Sequence, residues 1–410
     1  MTQPDLTDVT WVDLLGRPRA VRVPTGRIGE PIAVPRAAVL AGYGGRPDVT
    51  GHLIAVADLD SMRIPPWPDA PAIVMADLRE PDGSDSPLCS RTTLRRILAD
   101  AASDGHVIAA ASELEFFLLD PATGGPIYAE IENYSITKGS EAESVMRRVR
   151  NELRSMDVPV EASNPEYSGG QMEVNLTYGP ALGAADAATL LRSLVRTIAR
   201  QEGFDATFMA KPWTDQAGNG MHVHQSLWKE GRNTFSDAGH VSGPGRSYLA
   251  GLLAYLAELA LFGCPNPNAY HRRTDLSFAP TVICWGGDNR TVAVRAIEGT
   301  EASTRVEQRD ASADCNIYLT FAGQFAAGLQ GMREELQPPP PVEGNAYDRA
   351  DLEPVPKTFL EAFDLMDAGR AATLLGKETV RAYLDVLREE RTVLLLSSTD
   401  WERQRYMSSM

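Results

Sequence analysis

The stretch SELEFFL, residues 112–118, decides the fold, because acidic and apolar side chains alternate along it. Successive side chains of a β-strand point to opposite faces of the sheet. The carboxylates of Glu113 and Glu115 therefore share one face. Two like charges on one face repel each other unless a cation lies between them. The stretch predicts a strand with one face in the core and the other in a cation-binding site.

Three further stretches repeat this alternation: QMEVNL at residues 171–176, MHVHQSL at 221–227 and RVEQR at 305–309. Their polar faces carry Gln171, Glu173 and Asn175, then His222, His224 and Ser226, and then Arg305, Glu307 and Arg309. One such strand alone is typical of the solvated face of an antiparallel sheet. Four of them, with their acids clustered, favour a single sheet that presents all the polar faces to one cavity.

The composition of these faces indicates phosphoryl transfer. Carboxylates with a histidine and no nearby thiolate are the ligands that Mg²⁺ or Mn²⁺ prefers. Arginines beside such ions take up the charge that develops on a transferring phosphoryl group. Residues 369–377 lack the spacing of a P-loop, and no GxGxxG motif follows a strand. We therefore expect the nucleotide on the charged sheet.

The pattern along the chain predicts an α+β protein with a domain boundary near residue 85. Residues 1–85 contain short β-rich runs (9–15, 20–23, 53–58 and 72–78) between Gly and Pro turns, and residues 80–87, EPDGSDSP, form a linker. In residues 86–410, strand-like runs alternate with helical periods. The helical periods lie at about 140–156, 183–202, 245–262, 318–334 and 376–391.

The composition excludes several classes of partner. The formal net charge of −16 argues against a nucleic-acid partner, because phosphate backbones need a basic surface. Four dispersed cysteines indicate neither a zinc site nor a disulfide framework. No segment has the apolar length of a membrane span. We expect a cytoplasmic protein without a membrane partner.

Several motifs together resemble the glutamine synthetases. They are SELEFFL at 112–118, GQME at 170–173, ATFMAKP at 206–212, GNGMHVHQSLW at 218–228, NAYHR at 268–272, DNR at 288–290 with Arg295, and RVEQR at 305–309. Their order and spacing match over about residues 105–320. The resemblance implies a small N-terminal β-grasp-like domain, residues 1–85, and a catalytic domain, residues 86–410, whose curved antiparallel sheet carries the active site.

The resemblance also implies roles for individual residues, with two metal ions and ATP as substrate. The residues that match the ligands of the first ion are Glu115, Glu166 and Glu173, and those that match the ligands of the second are Glu113, His222 and Glu307. The residues that match the ATP-binding positions are His224, Ser226 and Arg305. The catalytic Arg290 and Arg295 match the arginines that bind the transferring phosphate. Glutamate is expected to bind at Gly218, Arg272 and Arg309. The implied chemistry forms γ-glutamyl phosphate, from which an amine displaces phosphate. The implied assembly is a homo-oligomer, a dodecamer of two stacked hexamers.

The sequence departs from the family where ammonium would bind. Ammonia-using members carry a glutamate just before an Ala-Pro pair, and Phe278 occupies that position here, before Ala279. They also carry an Asp-Gly-Ser segment in the N-terminal domain. Residues 43–62 lack this segment, and the sequence does not identify Asp48, Asp58 or Asp60 as its replacement. A phenyl ring cannot accept a proton. Phe278 is therefore assigned to a site for an organic amine.

A second departure concerns glutamate itself. The asparagine that the family places on glutamate, five residues before the first metal-site histidine, is Ala217 here. Three interpretations of function follow. The preferred one is an ATP-dependent ligase that joins the γ-carboxylate of glutamate to a small organic amine. The alternatives are an ordinary glutamine synthetase that uses ammonia and a catalytically idle structural or regulatory relative.

Overall fold

The computed structural model describes residues 4–40, 42, 49–131, 133–275 and 277–408. The N-terminal sheet consists of β1 (Leu6–Val12), β2 (Pro18–Pro24), β3 (Ile32–Pro35), β4 (His52–Ala57) and β5 (Ala72–Arg79). Its strand order is β2-β1-β5-β4-β3. β1 pairs with β5 in parallel, and the other neighbours are antiparallel. The region predicted to be β-rich therefore forms a mixed sheet.

A larger sheet carries the stretches with alternating polar residues. Its strands are β6 (Val107–Leu119), β7 (Val160–Pro165), β8 (Gln171–Leu176), β9 (Gly179–Pro180), β10 (Asp205–Thr207), β11 (Gly220–Lys229), β12 (Arg232–Asn233), β15 (Trp285–Gly286), β16 (Val294–Ile297) and β17 (Arg305–Ser312). A separate hairpin consists of β13 (Ser236–Asp237) and β14 (His240–Val241). The main strand order is β15-β16-β17-β11-β6-β8-β7. The four predicted strands are thus consecutive neighbours, as expected for one sheet.

The helices fall mainly after the N-terminal sheet. They are α1 (Ala37–Leu40), α2 (Ser90–Ser103), α3 (Ile136–Glu141), α4 (Glu143–Ser155), α5 (Ala181–Gln201), α6 (Gly243–Gly263), α7 (Pro267–Tyr270), α8 (Ile317–Arg333), α9 (Phe359–Ala368), α10 (Ala371–Leu375), α11 (Lys377–Leu396) and α12 (Asp400–Tyr406). No helix of the described residues is long and apolar enough to cross a membrane.

The five predicted helical periods correspond to α4, α5, α6, α8 and α11, so these predictions are confirmed. Side-chain caps fix some of the ends: Ser242 accepts a hydrogen bond from Gly245 N at the start of α6, and Asn316 accepts one from Leu319 N at the start of α8. The first predicted strand, residues 9–15, was placed three residues too far along the chain. β1 ends at Val12, because the carboxylate of Asp13 accepts hydrogen bonds from Leu15 N and Arg17 N and closes a turn.

The apolar faces of the charged strands are in the core. Leu114 and Phe116, which alternate with the two glutamates of β6, are fully buried, as are Val174 on β8 and Val223 on β11. Helices α5 and α6 pack against this sheet, and α8 packs against α6. The polar faces are thereby left on the opposite side, where the candidate site lies.

The N-terminal sheet is fixed to the rest of the protein by a buried ionic cluster. The guanidinium of Arg91 on α2 donates hydrogen bonds to Asp58, which follows β4, to Asp77 on β5 and to Asp186 on α5, at 2.7–2.9 Å. Apolar residues of both sheets also belong to one continuous core. The N-terminal sheet and the charged sheet are therefore packed as one body.

Candidate active site

The register of the central strands places the charged side chains opposite one another. His222 on β11 lies opposite Glu113 on β6, and Glu173 on β8 lies opposite Glu115 on β6. On the other side of β11, His224 lies opposite Glu307 on β17. The predicted polar faces therefore lie on one side of the sheet, but they line two adjoining cavities and not the single cavity that the sequence predicted.

One part of the site is a group of four acids, Glu113, Glu115, Glu166 and Glu173, which we call the acid cluster. Burial and the charge of Glu115 raise the pKa of Glu166 to about 7, and burial with the charges of Glu113, Glu115 and Glu166 raises the pKa of Glu173 to about 9. Ligand atoms of Glu113, Glu173 and His222 lie within 4.8 Å of one another. Oxygen and imidazole ligands that crowd together in this way fit a hard divalent cation.

A second group of potential ligands surrounds Glu113. Atoms of Glu113, His224 and Glu307 also lie within 4.8 Å of one another. The Nδ1 atom of His222 is 3.0 Å from Glu113 Oε2 and 3.6 Å from Glu307 Oε1. Hydrogen bonds from the two histidines hold the pKa of Glu113 well below its usual range, although burial opposes them. Glu113 is thus charged at neutral pH and ready to bind a cation.

Hydrogen bonds distinguish the two histidines. Arg305 Nε donates to His224 Nδ1 at 3.1 Å, so Nδ1 must be an acceptor, because an arginine cannot accept. In neutral His224 the proton is then on Nε2, which donates to Glu113 Oε1 at 2.8 Å. Both nitrogens of His224 are therefore engaged by protein groups, whereas His222 turns Nδ1 towards both acids. The geometry favours His222 over His224 as a metal ligand.

The arginines of the site pair with acids and with a tyrosine. Arg295 Nη1 donates to Glu307 Oε2 at 2.7 Å, and Arg309 Nη1 donates to Glu307 Oε1. Glu307 is fully buried, and its pKa is lowered to about 2 because the charges of Arg309 and other cations outweigh its burial. The exposed Arg290 lies in hydrogen-bonding contact with Tyr134. Arg290 and Arg309 therefore border the acid cluster, whereas Arg295 is connected to the site through Glu307.

Two cavities meet at Glu113. One, of about 320 Å³, is lined by the acids Glu113, Glu115, Glu166 and Glu173 and also by His222, Gly218, Arg272, Phe278, Arg290 and Arg309. The other, of about 360 Å³, is lined by Glu113, Tyr178, His224, Ser226 and Arg305 among others. The residues predicted for glutamate and the amine thus line one cavity, and those predicted for ATP line the other.

The buried Arg272 lines the first cavity. Its Nη1 donates to Ala311 O at 3.0 Å. A Cβ atom on Gly218 would lie 2.3 Å from Arg272 Cγ and 2.7 Å from Ala210 O. Position 218 therefore requires glycine so that the chain can pass close to Arg272. Nearby, Ala217 N donates to Ser168 Oγ at 2.6 Å.

An aromatic wall faces the acids in this cavity. Phe278 is 45% exposed and has a φ of +59°, a left-handed conformation that is unusual for a bulky residue. Its ring packs edge-to-face on Tyr167, with the centroids 5.7 Å apart. Tyr134 lines the same cavity and also has a positive φ, of +55°. Sequence patterns missed Tyr134 and Tyr167, because both lie in irregular segments without periodicity.

Sequence patterns also missed a hydrogen-bonded group at the second cavity, which Tyr178 and Ser226 line. Trp228 Nε1 donates to Ser226 Oγ at 2.8 Å and to Tyr178 OH at 2.7 Å, and the two hydroxyls also bond to each other. Trp228 comes two residues after Ser226 on the same strand, so its indole belongs to the same face. This group fixes the orientation of Ser226.

The aspartates considered for an ammonium site in the N-terminal domain are placed differently. Asp48 lies outside the described residues. Asp58 is engaged in the ionic cluster described above, where Arg91 and Arg95 donate to its carboxylate. Asp60 is exposed in a short 3₁₀ turn. Within one described protomer, neither Asp58 nor Asp60 lines the cavity that contains Phe278.

Comparisons with known proteins connect this geometry to a family. The profile described as "Glutamine synthetase, catalytic domain" matches residues 87–406. The chain is 37% identical to the gamma-glutamylethanolamide synthetase of Streptomyces coelicolor over 372 residues, covering 88% of the chain and 80% of the relative. It is 32% identical to a Pseudomonas glutamate–isopropylamine ligase, covering 88% and 82%.

Other relatives are named glutamine synthetases. The chain is 31% identical to the glutamine synthetase of Thermotoga maritima, with 85% of the chain and 84% of the relative covered. Among solved structures, GmaS in complex with ADP superposes with a TM-score of 0.90 at 26% identity, covering 98% of this chain and 97% of that one. This match confirms the predicted α+β fold with a curved sheet. By profile, identity and structure, the chain belongs to the glutamine synthetase family.

Proposed function

We propose that the protein is an ATP-dependent ligase that forms a γ-glutamyl amide from glutamate and a small organic amine. The observation that carries this proposal is that Phe278, packed on Tyr167, lines the same cavity as the acid cluster. An aromatic wall cannot take a proton from ammonium, but it gains free energy from an apolar substituent, about 25 cal/mol per Å² buried. The relatives named for ethanolamide and isopropylamine chemistry support this choice.

Two divalent cations, Mg²⁺ or Mn²⁺, would bind at the acid cluster and at the neighbouring His222 and Glu307. Glu115, Glu166 and Glu173 would hold one of them, and Glu113, His222 and Glu307 the other. The raised pKa values of Glu166 and Glu173 reflect burial and repulsion among the carboxylates, and a bound cation would compensate for both. When bound, such ions polarise phosphoryl and carboxyl oxygens as Lewis acids.

The residues of the two cavities divide the reaction between them. His224, Ser226 and Arg305 hold ATP, while Gly218, Arg272 and Arg309 receive glutamate. The γ-carboxylate oxygen attacks the γ-phosphorus of ATP, and ADP leaves. Arg290 and Arg295 stabilise the charge that develops on the transferring phosphoryl group. The neutral amine nitrogen then attacks the acyl carbon, phosphate leaves, and the phosphate takes up the proton that the nitrogen loses.

The proposal extends to organisation and location. We place the domain boundary near residue 85, which separates the two sheets. We propose a homo-oligomer, a dodecamer of two stacked hexamers. Several apolar side chains near the C-terminus are exposed in one protomer, which supports burial against another copy: Val393, Leu394, Leu395, Leu396, Trp401 and Met407. Buried free thiols, such as Cys89 and Cys264, suit a cytoplasmic location.

Phosphate release with glutamate, ATP and a panel of amines tests this proposal. The panel contains ammonium, ethanolamine, simple alkylamines, polyamines and an aromatic amine. We expect at least one organic amine to give faster release than ammonium. Release that is fastest with ammonium would support an ordinary glutamine synthetase. No release with any amine would support an idle relative, although the complete set of acids opposes that interpretation.

A further inference from the structure

A small apolar cluster separate from the main core underlies the loop that carries Phe278. It consists of Val282, Cys284, Val292, Val342 and Ala346, and Leu352 packs against it. Its members come from three segments: the chain after Phe278, the chain after Arg290, and residues 342–346. The cluster therefore joins the loops of the amine side and the phosphate side to a third segment, which we call the bracing segment, residues 342–347.

The bracing segment holds the Arg290 loop through a set of hydrogen bonds. Asn289, which precedes Arg290, donates from Nδ2 to Val342 O at 3.2 Å and to Gly344 O at 2.7 Å. Thr291, which follows Arg290, accepts from Ala346 N at its Oγ1 at 2.9 Å. Both neighbours of Arg290 are thus hydrogen-bonded to the bracing segment, which holds the backbone at Arg290.

The end of the bracing segment holds the Phe278 loop. The hydroxyl of Tyr347 donates to Ala279 O at 3.1 Å, and it also contacts the Ser277 hydroxyl and the backbone of Phe278. One side chain therefore contacts three consecutive residues, whose central member has the unusual φ of +59°. A bulky residue stays in this conformation only where its surroundings hold it there.

We infer that Tyr347 is a positioning residue for the amine. Its hydroxyl holds Phe278 where the ring contacts the amine, and the bracing segment keeps the Phe278 loop at a fixed position relative to the Arg290 loop. This inference rests on the proposed function, because it assigns Phe278 to the amine. Tyr347 itself does not line the cavity that contains Phe278 and the acids. It acts on the amine only through the backbone that it contacts.

Tyr347→Phe tests the inference, since it removes the hydroxyl and leaves the ring. Losing these hydrogen bonds is expected to raise KM for the preferred organic amine about fivefold, with KM for ATP changed less than about twofold. The preference for that amine over ammonium narrows by a similar factor. Tyr383→Phe is the matched control, because its hydroxyl donates to Leu261 O at 2.8 Å in the main core. The control should leave both KM values unchanged.

Amide hydrogen exchange supplies a second readout that needs no amine. In Tyr347→Phe, amide hydrogens in peptides that cover residues 277–283 should exchange faster than in the wild type. Those in peptides that cover residues 288–292 should also exchange faster. Unchanged exchange and unchanged KM for the amine would overturn the inference. If exchange rises but the wild type itself prefers ammonium, the positioning role stands and the proposed function fails.

Discussion

The ring of Phe278 packs edge-to-face on the ring of Tyr167, with the centroids 5.7 Å apart and the planes at 69°. Tyr167 directly follows Glu166, and its backbone N donates to Glu166 Oε2 at 3.2 Å. The aromatic wall is therefore built directly onto a residue of the acid cluster. An amine that contacts this wall lies close to the carboxylates that would hold the first metal ion.

Replacing Phe278 with glutamate should shift the preference towards ammonium. The new carboxylate can pair with the ammonium ion and accept its proton, whereas apolar amines lose their contact with the ring. We expect the ratio of kcat/KM for the best organic amine to that for ammonium to fall about tenfold or more. Phe278→Leu is the control, because it keeps an apolar surface without introducing an acid. An unchanged ratio in Phe278→Glu would show that Phe278 does not contact the amine.

Two of the carboxylates should respond differently to removal. Glu115 accepts a hydrogen bond from Gly220 N at 2.6 Å, but it is partly exposed and its charge repels those of Glu166 and Glu173, so its removal should cost little stability. Glu115→Ala should therefore abolish turnover and leave the free energy of unfolding nearly unchanged. Glu307 is fully buried between Arg295 and Arg309, so Glu307→Ala also leaves two guanidinium groups unpaired. We expect a loss of about 3–5 kcal/mol in the free energy of unfolding. Denaturant titration checks both, and equal stability of the two variants would contradict the pairing.

Metal binding should depend on pH. Without metal, the pKa of Glu166 is about 7 and that of Glu173 about 9, both above the ordinary 4.5. Stability from the protonated carboxyls is therefore complete below the ordinary value and is lost as pH rises through these raised values. A cation must displace the protons, so its affinity rises with pH, by about tenfold per unit near neutrality for each proton released. Calorimetry of Mn²⁺ binding at several pH values measures the affinity, and its repetition in two buffers measures the protons released. An affinity that does not depend on pH would contradict the prediction.

Gly218→Ala should weaken glutamate binding, because the added Cβ would displace either Arg272 or the backbone at Ala210. We expect KM for glutamate to rise about tenfold or more, with a smaller effect on KM for ATP. Gly183→Ala is the matched control, since a Cβ on that glycine of α5 meets no atom within 4 Å. Steady-state kinetics decide between the outcomes. Equal KM values for glutamate in the two variants would show that Arg272 does not contribute to glutamate binding.

The sequence predicted the parts of the structure that local periodicity determines. Alternation in residues 112–118 fixed which face of β6 carries Glu113 and Glu115, because side chains of a strand alternate geometrically. The pairing of Glu307 with Arg309 follows from the same rule, since they lie two residues apart. The pairing with Arg295 does not, because it depends on which strand neighbours β17.

Loop geometry was beyond the reach of sequence patterns. Tyr134 lies in an irregular segment and Tyr347 in a single 3₁₀ turn, Ala346–Asp348, so neither has a hydrophobic periodicity that predicts its position at the site. Phenylalanine gives no signal for a left-handed backbone, in contrast to glycine, and the conformation of Phe278 follows from its contacts with the surrounding structure. The departure from the family at position 278 was visible in the sequence, but the wall that it forms with Tyr167 was not.

The most direct test of the account is the ratio of kcat/KM for the best organic amine to that for ammonium in the wild-type enzyme. It is measured with saturating glutamate, ATP and Mg²⁺ at one pH, and the product is identified by mass. We predict a ratio of at least about ten, which corresponds to roughly 1.4 kcal/mol in transition-state binding. A ratio below one, with glutamine as the main product, would contradict the proposed function.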